Sequence, residues 1–144
     1  MKIAVILIFF VALAFNAEAQ KPLSKRDIFQ INCKTVVQIY INGNFSGAGF
    51  ITDADGLIAT ANHVISTPQS GFKEYAQNIS VLVDGNPSPY ATAPAADVTP
   101  DDRVNYDSAF LKIEAAHLPH VILGTWDEIN ITDPLLIVPS WPGM

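Results

Sequence analysis

Two short apolar runs, Gly47-Ala48-Gly49-Phe50-Ile51-Thr52 and Leu57-Ile58-Ala59-Thr60, flank the tetrapeptide Asp53-Ala54-Asp55-Gly56. The Asp-Gly pair supplies the positive-φ position that a tight hairpin needs, so this stretch predicts two antiparallel strands. The same grammar recurs along the chain. Thr35 to Ile41 alternates β-branched and aromatic residues with Gln38 and is closed by Asn42-Gly43-Asn44. Ile79 to Val83 is closed by Asp84-Gly85-Asn86-Pro87, and Tyr106 to Ile113 alternates Ala109, Leu111 and Ile113 with Phe110 and Lys112. A period of two over such lengths is that of a half-buried strand. Tyr90 to Asp102, rich in Ala, Pro, Thr and Asp, reads as an irregular strand followed by an acidic loop, and Asn62 to Ser66 as a helical turn stopped by Pro68. Many short strands with Gly and Pro turns, and no long helical period, predict an all-β fold, with a barrel preferred to a sandwich.

The chain opens differently. Met1-Lys2 gives a positive start, Ile3 to Phe15 a nearly unbroken apolar run, and Ala17-Glu18-Ala19 a small-x-small site. This is the pattern of a secretory signal over residues 1–19, cut before Gln20. The apolar run is shorter than the roughly 20 residues that a membrane-crossing helix requires. The expectation is a secreted or periplasmic protein with no membrane association after cleavage. Residues 20–34, with Lys21, Pro22, Ser24, Lys25, Arg26 and Asp27, read as a polar surface arm.

Composition removes several classes of function. A chain of 144 residues holds one domain at most. With 8 Lys and Arg against 14 Asp and Glu, its net charge is −6, which argues against phosphate-backbone binding and so against a nucleic-acid partner. The single cysteine, Cys33, excludes an intrachain disulfide and a cysteine-based zinc cage. It reads as a small buried hydrophobe. Asn44-Phe45-Ser46, Asn78-Ile79-Ser80 and Asn130-Ile131-Thr132 match the glycosylation acceptor pattern, which matters only in a eukaryotic secretory pathway.

Three histidines remain as candidates for chemistry. His117 and His120 form an HxxH pair interrupted by Pro119 with no third ligand near in sequence, so they read as surface-loop residues. His63 stands directly after a predicted strand, at the head of the helical turn. Asp107 stands at the start of a later strand, Asp107-Ser108-Ala109-Phe110-Leu111-Lys112-Ile113. The string Gly47-Ala48-Gly49-Phe50-Ile51, followed by Asp55-Gly56-Leu57-Ile58-Ala59-Thr60-Ala61-Asn62-His63-Val64, resembles the Gly-x-Gly-Phe, Asp-Gly and Thr-x-x-His-Val signature of trypsin-like serine peptidases, nearest to the HtrA-like branch. The Asp107 string is similar to that family's Asp motif, and Leu118 to Gly124 to its Leu-Pro-x-x-x-Leu-Gly segment. Pro134 to Gly143, in which Leu135 to Val138 reads as a strand, resembles the opening of the family's second barrel.

The resemblance implies that residues 35–132 form the N-terminal six-stranded antiparallel β-barrel of a double-barrel peptidase, with a second barrel beginning at residues 133–144 and truncated. It implies His63 as general base, Asp107 as the carboxylate that holds its imidazole, a polypeptide substrate, and neither metal nor cofactor. A serine hydroxyl is a poor nucleophile until a base takes its proton during attack, and the carboxylate fixes the tautomer of that base. No Gly-x-Ser-Gly-Gly string occurs among the eight serines, and Ser140 reads as a turn residue. The expectation is therefore the His and Asp half of a serine endopeptidase, inactive alone. The rival reading is a secreted, non-catalytic β-barrel binding or scaffold domain that keeps His63 and Asp107 as a hydrogen-bonded pair.

Overall fold

The computed structural model describes residues 22–84, 86, 90–95 and 100–140. The expected signal over 1–19, its cleavage before Gln20, and the Gly-Asn-Pro turn after Asp84 lie wholly or partly outside them. Six strands close into an antiparallel barrel: β1 (Val36–Ile41), β2 (Asn44–Ile51), β3 (Leu57–Thr60), β4 (Ile79–Val83), β5 (Tyr90–Pro94) and β6 (Ala109–Ile113). Around the barrel the order is β1-β2-β3-β6-β5-β4, with β4 returning to β1. Closure leaves no sheet edge exposed.

Alternation along the strands decides what faces inward. Val37 and Ile39 of β1, Ile51 of β2, Ile58 of β3, Ile79, Val81 and Val83 of β4, and Ala109, Leu111 and Ile113 of β6 are buried and form one cluster with Val64 and Ile65. Their neighbours along each strand are exposed or half-buried. The hairpins follow the sequence closely. Ile41 pairs with Asn44, leaving Asn42 and Gly43 as a two-residue loop at φ 51° and 79°, the twist-matched arrangement for a right-handed ribbon. Asn44 thus opens β2 and is not part of the turn. Between β2 and β3, the Asp53 side chain accepts from the Asp55 N–H at 2.8 Å and Gly56 sits at φ 92°.

Elsewhere the structure corrects the sequence reading. Residues 20–34 are expected to form an arm, but Lys25–Cys33 is a helix, α1, capped by Ser24, whose side chain accepts from the Asp27 N–H while the Asp27 carboxylate accepts from the Ser24 N–H. The helix is only nine residues long, polar in overall composition and without a buried residue, so no sustained period announces it. Cys33 on α1 is only partly buried, not a core residue. The acidic loop expected up to Asp102 is in part another helix, α3 (Pro100–Tyr106), separated from α2 (Asn62–Ile65) by β4 and β5. Proline at its first position is a favoured start, since the missing N–H would have had no intrahelical partner. Leu135 to Val138, expected as a strand, has no regular structure and no ladder partner among the described residues. An extended segment becomes a strand only by pairing.

Candidate active site

The barrel register brings the two site residues together. Thr60, the last residue of β3, pairs with Ala109, the first residue of β6. In an antiparallel pair the end of one strand lies beside the start of the other, so the chain leaving β3 and the chain entering β6 meet at the same rim. Those are the segments that carry His63 and Asp107. The same register continues two residues beyond the strands, where the Asn62 N–H donates to the Asp107 carbonyl at 3.2 Å.

The Asp107 carboxylate then grips His63 twice. Oδ1 accepts from the His63 backbone N–H at 2.9 Å, and Oδ2 lies 2.7 Å from Nδ1 of the ring. To reach both, Asp107 adopts φ 46°, in the left-handed region. That conformation costs a non-glycine residue on the order of 1 kcal/mol or more, though Asp tolerates it better than most. The backbone N–H of His63, and next its ring, hold the Asp107 carboxyl below its ordinary value of 3.8. Asp107 is therefore an acceptor only, and the ring proton of neutral His63 belongs on Nδ1, leaving Nε2 as the basic nitrogen. The side chains are 60% and 50% exposed, so the pair sits at an open rim and is not a core contact.

Packing from the opposite side explains why α2 lies where it does. Val64 and Ile65 plug the end of the barrel, and the Ser46 hydroxyl donates to the Val64 carbonyl at 2.6 Å. A Cβ at Gly47 would come within 2.8 Å of both Val64 methyl groups. Glycine at 47 is therefore what lets the His-bearing turn rest directly on β2. Beneath His63, buried Asn62 donates from Nδ2 to the Phe72 carbonyl at 2.9 Å and accepts at Oδ1 from Ser66 at 2.8 Å.

Sequence reasoning singles out His63 and Asp107, and the structure brings them together. It does not single out Asn62, Ser66 or Phe72. A polar residue next to a candidate base, followed four positions later by a hydroxyl, is the only available hint. His117 and His120 are exposed beyond β6, with the His120 ring 3.2 Å from the Leu118 carbonyl.

No protein-family model and no curated protein sequence matches the chain. Solved structures do. The serine endoprotease from Yersinia pestis is 23% identical with a TM-score of 0.54, over 73% of this chain and 35% of that one. The HtrA-type protease AlgW, solved with a tripeptide, is 23% identical with a TM-score of 0.57, over 77% of this chain and 33% of that one. The likeness is one of fold, a closed six-stranded antiparallel barrel. The chain spans about a third of the length of these solved proteases.

Proposed function

We propose that this barrel supplies the base half of a serine-type endopeptidase site acting on polypeptides, in a secreted or periplasmic protein. The observation that carries the reading is the double grip of one carboxylate on both the backbone and the ring of His63. That grip sets orientation and tautomer together, which is what a general base requires and more than a surface ion pair needs. In the proposed reaction Nε2 of His63 takes the proton of a serine hydroxyl as its oxygen attacks the scissile carbonyl. The imidazolium so formed is stabilised by the ionised Asp107, and His63 returns the proton to the leaving amine. The nucleophile and the oxyanion donors come from a unit outside these 144 residues, because no serine here stands in a Gly-x-Ser-Gly-Gly setting.

Two measurements test this. The full chain alone is expected to leave casein intact. Casein cleavage by the chain that His63→Ala abolishes would instead place the nucleophile within it and overturn the half-site. Joined to the nucleophile-bearing remainder of an HtrA-type protease, the barrel is expected to support cleavage that His63→Ala removes. A soluble, folded fusion whose cleavage is indifferent to His63→Ala overturns the assignment of the base.

A further inference from the structure

We propose that Asn62 is a positioning residue: its buried amide clips the loop of residues 66–76 to the turn that carries His63, and thereby keeps the imidazole in register with Asp107. The inference rests on the reading of His63 as a base and Asp107 as its carboxylate.

The helix that bears His63 cannot hold its own orientation. It is a single turn, and Ala61 at its N-cap offers no side-chain hydrogen bond. An isolated turn of this length is unstable without outside contacts. Val64 and Ile65 anchor it in the barrel mouth, but apolar burial is non-directional and leaves rotation about the turn poorly defined. Directional contacts define it: Ser46 holds the Val64 carbonyl, Ala76 the Ile65 carbonyl, and the Asn62 side chain adds a buried link from the turn to the loop. The residue is 1% exposed, with both ends of the amide bonded, Nδ2 to the Phe72 carbonyl and Oδ1 to the Ser66 hydroxyl. Ser66 is itself buried, at 4% exposure.

The other end of the clip is equally specific. Phe72 stands at φ 64°, a conformation uncommon for a bulky residue, and its carbonyl receives the Asn62 amide. The loop is closed on itself and onto α2: Thr67 N–H donates to the Glu74 carbonyl at 2.8 Å, Ala76 N–H to the Ile65 carbonyl at 2.8 Å, and Ser66 and Tyr75 form an isolated bridge. Asn62 therefore joins three parts: the loop through its side chain, the Asp107 carbonyl through its backbone N–H, and His63 through the next peptide bond. A displaced Asn62 would move the donors at 62 and 63 that meet Asp107.

The test reads the His63 tautomer by ring ¹⁵N shifts in the full chain, at a pH where the ring is neutral. Wild type is expected to be mainly the Nδ1–H form. Asn62→Ala, which removes both hydrogen bonds of the amide, should lower the Nδ1–H to Nε2–H ratio about tenfold. Ser66→Ala, which leaves the Phe72 bond in place, should lower it about threefold and decides the matter if Asn62→Ala does not fold. Val81→Ala, in a strand that pairs with neither β3 nor β6, should reduce stability and leave the ratio unchanged. Folded Asn62 and Ser66 variants with the wild-type ratio overturn the positioning role alone, as does a Val81→Ala variant that shifts the ratio as much as they do. A wild-type ring mainly in the Nε2–H form, or a ratio that Asp107→Asn does not change, overturns the base-and-carboxylate reading and this inference with it.

Discussion

At residue 107 a single carboxylate serves two donors of one neighbour, and this makes its ionisation part of folding. The His63 backbone N–H and ring depress the Asp107 pKa below 3.8. A carboxylate whose folded value lies below its unfolded value stabilises the native state above the unfolded value, and that contribution is lost as pH falls through the folded value. Wild type is therefore expected to lose stability below pH 3.8 by an amount that Asp107→Asn does not show, so the two denaturant midpoints converge in acid. The side chain is half exposed, which keeps the difference small. Parallel midpoints from acid to neutral pH would contradict the double grip. Asn at 107 also offers an N–H₂ group where an acceptor is needed, so His63 should shift toward the Nε2–H tautomer.

At the scale of elements, turns and caps set the shape while the strands fill it. Gly56, at φ 92°, would place a Cβ 2.5 Å from the Ile113 carbonyl oxygen, whereas Gly43, at φ 79°, has nothing within 4 Å. Gly56→Ala should therefore cost about 3 kcal/mol or more, because backbone must move, and Gly43→Ala only about 1 kcal/mol from dihedral strain. Urea denaturation of the two variants gives the comparison, and equal losses would contradict it. Ser24→Ala removes the cap of α1, worth about 1 kcal/mol to that helix. Since α1 buries no residue, the loss should appear as faster amide exchange over 28–33 with the barrel melt unchanged. These elements also show what the amino-acid sequence discloses. Strands are legible because a closed barrel buries alternate residues, and Ile79–Val83 and Ala109–Ile113 do so without exception. Helix α1 is hidden because it is short, polar in overall composition and buries no residue, although Ser24-x-x-Asp27 is a start signal. The His63 and Asp107 pair is legible as two motifs. The Asn62 amide is not, because its partner at Phe72 is a backbone carbonyl, which carries no side-chain signature.

Over the whole molecule, the barrel and the segment that follows β6 obey different rules. The barrel strands keep every Val, Leu and Ile buried or half-buried, yet Ile122, Ile131 and Ile137 are 94%, 106% and 83% exposed, and Leu123, Trp126 and Leu135 stand open beside them in sequence. The segment is tied to the barrel near its start, where Leu118 N–H donates to the Ala54 carbonyl and Val121 N–H to the Ile51 carbonyl. Leu136 and Val138 return to line a shallow groove with Ile28, Val36 and Phe50. Single exposed aliphatics are ordinary, but a run of this density leaves apolar area that association would remove from water. The full chain should accordingly self-associate with rising concentration, driven by this segment and not by a sheet edge, since the closed barrel offers none. Replacing Ile131 and Ile137 together by serine should weaken association several-fold while changing unfolding free energy by no more than about 0.5 kcal/mol per site, the usual range for exposed positions. Sedimentation velocity across a concentration series, paired with denaturant melts, separates the two quantities. A chain that stays monomeric throughout, or a double variant that loses barrel stability in step with association, would show that these residues are held by the barrel after all.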